Sequence, residues 1–340
     1  MTSTMNFKDL TNQIIHNEKI KEDYLVPARE MVMNDDSEIH FKESAFQMNP
    51  IAHTQLAARL QIPNQFYQRI ASYRDLRSDV VNRLLSEDDR TFFFRTHDDV
   101  GRAFLSDRYK PIDNMQVLAA ASPVLRDMPI EFLSASISDA RMYLQVSFPG
   151  MEGEVEVGDT VRYGLTITNS EVGMGMVRVS PTLWRLVCSN GMVRQTAIKH
   201  RHVGRQMDMG EDYGIYRDET RLADQKAFRL KLQDTIQMSV NEAFFEDLLG
   251  RAKSANGQTI EKVAATVKNV TRHFQMDESR EEDLMDALAI EGRPTRWKIS
   301  NAVTGLCHKT ASIDTQFEYE KIGMKIIDMG DREWKGILAA

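Results

Sequence analysis

The chain has 340 residues and 42% hydrophobic content, which is enough apolar sequence to bury the core of one large domain or two modest ones. Its formal net charge is -7, and this acidic balance argues against a protein that coats phosphates with its whole surface. The two cysteines are far apart and lack CxxC spacing, so we expect no disulfide framework and no zinc site.

The N-terminal residues are polar and resemble neither a signal peptide nor a membrane anchor. We therefore expect a cytoplasmic protein that makes no contact with the membrane. Residues 1–45 are charged and weakly patterned, with a loop signal at Pro27, and they predict a loosely held N-terminal arm. Pro50 and Pro63 then start two short helices, which suit either a packing unit or a DNA-binding helix-turn-helix.

The middle of the chain reads as strands joined by tight turns. The predicted strands cover residues 91–95, 100–105, 130–137, 142–148, 163–168 and 176–179, with a helix over 115–125. Gly173 and Gly175 mark a tight return between the last two strands. Residues 46–218 thus predict a central domain with an antiparallel sheet of hairpins, and the helical periodicity of residues 219–340 predicts a helical region packed on it. The expected fold class is α+β.

Catalytic motifs are weak throughout the sequence. Gly173 and Gly175 lack the third glycine of a dinucleotide fingerprint, and His200 and His202 could supply only two metal ligands. We expect no metal and no cofactor, and whether the chain is an enzyme stays open. For an enzyme acting on nucleic acid, Glu171 and His97 would be the polar candidates.

Basic residues give the clearest functional signal. Residues 172–207 contain no Asp or Glu. They contain the cations Arg178, Arg185, Arg194, Lys199, Arg201 and Arg205. A second group, at the end of a predicted strand, consists of Arg102, Arg108, Tyr109 and Lys110. Both groups suit phosphate contact, and the tyrosine suits stacking on a base.

Internal pairing is the alternative for both basic groups. The first could be neutralised by acids at residues 277–283, within one chain or across a subunit boundary. In the second, Asp107 could pair with Arg102 or Arg108 while Tyr109 lies in the core.

Four strings carry a resemblance to a known family. They are RAFLSDRY at 102–109, NSEVG at 169–173, RLVCSNGM at 185–192 and NAVT at 301–304. Together they resemble the phage/plasmid-related family known as domain of unknown function 932, over residues 46–334. The resemblance implies a role in the biology of mobile elements and supplies no catalytic residues.

A hairpin-rich sheet backed by helices is also similar in outline to Rad52-type single-strand annealing proteins, which need cations and aromatics but no catalytic dyad. We therefore expect a homo-oligomeric, single-stranded DNA-binding protein that anneals strands in recombination or replication of a phage or plasmid. The alternative is a phage or plasmid protein-interaction factor, such as an inhibitor of a host defence system. It would bind a host or phage protein through the acidic residues 278–286.

Overall fold

The computed structural model describes residues 5–186, 190–194, 198–200 and 218–339, and these form an α+β fold. The helices are α1 (Phe7–Ile20), α2 (Pro50–Arg59), α3 (Asn64–Arg69), α4 (Arg74–Glu87), α5 (Asn114–Arg126), α6 (Asp218–Ser239), α7 (Glu242–Asn256), α8 (Val263–His273), α9 (Arg280–Ile290), α10 (Arg296–Gly305), α11 (Ile313–Asp328) and α12 (Asp331–Ala339). The strands are β1 (Lys21–Pro27), β2 (Val32–Met33), β3 (Ile39–Phe41), β4 (Ser44–Met48), β5 (Thr91–His97), β6 (Val100–Ser106), β7 (Glu131–Ile137), β8 (Met142–Glu156), β9 (Asp159–Asn169), β10 (Val177–Arg185), β11 (Asn190–Val193) and β12 (Ile198–His200).

The strands form two sheets, whereas the sequence suggested one. The first has the order β1-β5-β6-β4-β3-β2 and is antiparallel except for the parallel pair β4 and β6. The second has the order β11-β10-β9-β8-β7, and β12 also pairs with β10. The two predicted hairpins, β5–β6 and β7–β8, are both confirmed. They belong to different sheets because α5 separates them and β5 takes β1 as its other neighbour.

The prediction of a loosely held N-terminal arm is wrong. Helix α1 buries Leu10 and Ile14 in the main core, and β1 pairs with β5 along its whole length. The arm looked unpatterned because few of its residues are apolar. Asp23, on β1, pairs with the buried Arg95 of β5 at an Nε–Oδ1 distance of 2.8 Å.

The cores explain how the helices are placed. The inner face of the second sheet packs against α1, α5, α6 and α7 in one large cluster that includes Leu144, Ile167 and Trp297. The C-terminal helices α8 to α12 share a separate cluster around Val270 and Trp334. Helical periodicity predicted the helices of this region but not their separate core. Within the described residues, no helix is both long and apolar enough to cross a membrane.

Candidate nucleic-acid interface

The outer face of the second sheet is polar and lies under a helix. Side chains alternate along each strand, so Leu144 enters the main core while its neighbour Gln145 points to the opposite face. On that outer face the hydroxyls of Thr166 and Thr182 lie 2.8 Å apart on adjacent strands. Helix α11 packs here, where the Gln145 side-chain amide donates to the Glu320 carboxyl at 2.9 Å.

Three cations lie together at the end of this outer face, and we call Arg141, Arg178 and Lys321 the cation cluster. Arg178 is in register with Tyr143 two strands away, which separates their backbones by about 10 Å. Burial lowers the pKa of Lys321, and the positive charges of Arg141 and Arg178 lower it further. Glu318 pairs with the Lys321 ammonium, and Asp314 is the second acid within the group. It accepts hydrogen bonds from Tyr143 and, at 3.3 Å, from Arg141.

A turn at residues 173–175, the glycine turn, joins the cation cluster to the Arg108–Lys110 segment. Gly173 has φ +73, a conformation that favours glycine, and a Cβ built there would lie 3.8 Å from the Tyr109 ring. A Cβ on Gly175 would lie 3.2 Å from Arg141 Nε. Tyr109 and Arg141 therefore pack against the two ends of this turn.

Arg102 is committed to an internal network between the two sheets. Its side chain bonds the Glu171 carboxylate at 3.2 Å and donates to His97 Nε2 at 2.5 Å. Burial and the neighbouring Arg102 lower the pKa of His97 to about 3, so the imidazole is neutral at physiological pH. The other Glu171 oxygen accepts the Asn114 backbone N–H at 2.8 Å. The two candidate catalytic residues are thus neighbours through Arg102, and both are occupied by structural hydrogen bonds.

Arg185 belongs to a second buried ion cluster. Its guanidinium contacts Asp159 and Glu291, each at 2.6 Å. Asp159 also accepts hydrogen bonds from Trp297 at 2.9 Å and Lys298 at 3.3 Å. Burial favours the neutral form of Asp159, but the hydrogen bonds from Arg185 and Trp297 outweigh it and lower the pKa. This cluster ties the second sheet to α10.

Arg194 is also paired, with Asp247 at 3.0 Å and Asp328 at 3.4 Å. The acids predicted as internal partners, at residues 277–283, therefore do not pair with the described arginines of the basic run. Asp283 instead contacts Lys309 at 2.6 Å and Arg280 at 2.9 Å.

The remaining predicted residues divide into four groups. Arg108 is exposed, and neither it nor the half-buried Arg178 makes an ion pair within the described chain. Tyr109 and Lys110 are both half-buried, and the Tyr109 hydroxyl donates to the Ser170 carbonyl at 3.4 Å. Lys199 pairs with Arg178 through the backbone of β12. Arg201 and Arg205 lie outside the described residues.

Sequence reasoning missed Arg141 and Lys321. Both lie outside the acid-free run and close to acids in the sequence, Asp139 in one case and Glu318 in the other, so local composition concealed them. Lys321 carried one usable signal. It lies one helical turn after Phe317, and its ammonium is 5.1 Å from the centre of that ring.

The chemistry of this region is electrostatic. Among the residues that the structure describes, no group of three or more His, Cys, Asp or Glu side chains is placed to hold a metal ion. What the region offers is a set of guanidinium and ammonium groups around a rigid turn, which suits binding of phosphates.

Comparison with protein families gives a match that covers the central part of the chain. A family model described as "Domain of unknown function (DUF932)" matches residues 103–325, which is more than half of the chain. No curated protein and no solved structure matches the sequence.

Proposed function

The chain belongs to the family described as Domain of unknown function (DUF932), and we propose that it binds single-stranded DNA through the cation cluster, Arg108 and Lys199. In this proposal it anneals complementary strands during recombination or replication of a phage or plasmid. The family description names no activity, so the proposal depends on the residues of this chain.

The observation that carries the proposal is the position of the cations around the glycine turn. Arg141 and Tyr109 contact its two ends, Arg108 precedes Tyr109 in an exposed loop, and Arg178 follows the turn on β10. A nucleic-acid strand laid across the turn would meet positive charge on both sides. Such contacts read the phosphate backbone and leave base edges free, as annealing requires.

The total charge of -7 sets a condition on this proposal. A single acidic chain repels DNA on close approach, within the Debye length of about 8–10 Å, beyond which salt screens the charges. Assembly into a homo-oligomer that brings several glycine turns onto one surface would concentrate the cations against this background.

The test is fluorescence anisotropy with a labelled single-stranded oligonucleotide at several salt concentrations, beside a duplex of the same sequence. We expect salt-sensitive binding that favours the single strand. Replacing Arg108 or Arg178 with Ala should each reduce the slope of log affinity against log salt by about 1, because each removes one phosphate contact.

Arg83→Ala is the matched control. Arg83 is exposed on α4, whose buried face packs against the other side of the first sheet, so its loss should leave affinity and slope unchanged. Equal slopes for Arg108→Ala, Arg178→Ala and Arg83→Ala would remove the glycine turn from the contact. Absence of binding at low salt would reject the function.

A protein-binding role is the second candidate, and the surface of α9 favours it. Ile290 is 88% exposed and Met285 is 37% exposed, beside the exposed acids Glu282 and Asp286. Apolar side chains ringed by acids suit a basic protein partner.

The test of this protein-binding role is a nuclease-treated pull-down from host lysate. A stoichiometric host protein that is lost with Ile290→Asp would support this role, whereas equal recovery by wild type and variant would exclude the α9 surface.

A further inference from the structure

Met174 occupies the tip of the glycine turn and is 43% exposed. The surrounding residues are charged or packed, so an exposed methionine beside the Arg141 guanidinium is unlike its neighbours. Single exposed apolar residues are common on protein surfaces. What distinguishes Met174 is the way in which its backbone is held.

Both backbone groups of Met174 are tied to the rest of the molecule. Its N–H donates to the Ser170 hydroxyl at 3.0 Å, and its carbonyl accepts a hydrogen bond from the Arg141 guanidinium. The preceding Gly173 takes φ +73 and packs against Leu105 and Tyr109. The turn is therefore fixed from three sides, and the Met174 side chain projects from a rigid support.

We infer that Met174 is a wedge that inserts between neighbouring bases of a bound single strand. This inference rests on the proposed function and names the part of the nucleic acid that the site contacts besides phosphate. Apolar side chains, methionine among them, are used by nucleic-acid-binding proteins to separate stacked bases. A thioether also makes favourable contacts with aromatic rings.

The cations on the two sides of Met174 determine where a bound strand crosses the glycine turn. Arg141, which fixes the Met174 carbonyl, lies on one side, and the exposed Arg108 precedes Tyr109 on the other. Phosphates held on both sides would draw the strand over the turn, so that one base step meets Met174. Unstacking one step costs less in a single strand than in a paired duplex, so the wedge also explains a preference for single strands.

The experiment uses oligonucleotides that carry one 2-aminopurine, whose fluorescence rises when it loses stacking with its neighbours. With the wild-type protein we expect emission to rise on binding. Met174→Ala should abolish most of the rise and weaken binding by about fivefold, the low end of the loss when a base-contacting side chain is truncated. Met174→Leu should retain the rise because it keeps an apolar side chain of similar size.

Met238→Ala is the matched control, since Met238 is a 67% exposed methionine on α6. It should behave as wild type in emission and affinity. A rise that survives in Met174→Ala, or wild-type binding without any rise, would overturn the wedge while leaving the phosphate contacts in place. Absence of binding by anisotropy would reject the proposed function itself and the wedge with it.

Discussion

Arg178 and Arg185 lie on the same strand, seven positions apart, and an odd spacing places their side chains on opposite faces of the sheet. Arg178 stands on the polar outer face beside Arg141 and Lys321. Arg185 turns inward to Asp159 and Glu291 and is 8% exposed. The same residue type thus serves two purposes, and only the first leaves the charge available to a ligand.

This difference predicts opposite phenotypes for two substitutions. Arg185→Ala leaves Asp159 and Glu291 buried without their main partner, and we expect it to lower the free energy of unfolding by about 3–5 kcal/mol. Urea denaturation followed by tryptophan fluorescence measures this loss, since Trp297 bonds to Asp159. Arg178→Ala should change the free energy of unfolding by no more than about 0.5 kcal/mol. Equal stabilities for the two variants would contradict the assignment of Arg185 to the buried cluster.

Glu320 predicts a specific dependence of stability on pH. Burial raises its pKa from 4.5 to about 8, against the opposing hydrogen bond from Gln145. Between these values the folded chain keeps a proton that the unfolded chain has released. The free energy of unfolding therefore falls as pH rises through this range, by at most about 1.4 kcal/mol per pH unit.

Glu320→Gln isolates this effect because the amide retains an oxygen for Gln145 and never ionises. Its free energy of unfolding relative to wild type should increase from about pH 5 to about pH 8 and then level off. Cys307 does not titrate in this range, since burial raises its pKa to about 12. Parallel pH profiles for variant and wild type would mean that Glu320 ionises with an ordinary pKa.

At the level of elements, local sequence patterns predicted the helices and hairpins that are encoded by residues close together in the sequence. The hairpins β5–β6 and β7–β8 and the helix α5 were predictable because alternation, turn residues and helical spacing are encoded over a few positions. Helix α1 was not, because its stability comes from the main core and from the pairing of β1 with β5, about 70 residues away.

The candidate site was predictable only in part for the same reason. An acid-free run identified Arg178, but the acid that neutralises Arg102 lies 69 positions away, and the two that neutralise Arg185 lie 26 and 106 positions away along the chain. Lys321 meets Arg141 and Arg178 only through the packing of α11 on the second sheet. Local composition cannot predict contacts between residues so far apart in the sequence.

The crossing of α10 and α11 gives a prediction at this scale. A Cβ on Gly323 would lie 2.4 Å from Thr304 Cγ2 and 3.2 Å from the Ser300 carbonyl oxygen, so the two helices approach closely. Gly323→Ala should lower the free energy of unfolding by about 1–3 kcal/mol through overpacking, although alanine favours helix by about 1 kcal/mol.

Two further variants make this test specific. Thr304→Ser removes the clashing methyl group and should restore most of the stability that Gly323→Ala loses. Gly250→Ala, on α7, has no atom within 4 Å of the added Cβ and should gain about 0.5–1 kcal/mol. Denaturant unfolding of Gly323→Ala, of Gly323→Ala combined with Thr304→Ser, and of Gly250→Ala measures these changes in the free energy of unfolding. A Gly323→Ala protein as stable as the Gly250→Ala protein would mean that the helices are not in close contact.

For the whole molecule, the distribution of charge decides between binding and annealing. Arg102, Arg185 and Arg194 are neutralised within the fold, and the cations at the glycine turn stand against a chain of net charge -7. One copy would therefore make few phosphate contacts, and weak binding with a shallow salt slope is expected from it. Annealing requires that several copies act on one strand.

This requirement can be tested by mass photometry with oligonucleotides of increasing length. If the copies assemble, a strand that spans several binding sites should carry several protein chains, and affinity per chain should rise steeply with length because adjacent sites bind as one multivalent surface. The salt slope should grow with the number of copies bound. One chain per strand at every length, with constant affinity, would leave a single-strand binding protein but would exclude annealing by an assembled homo-oligomer.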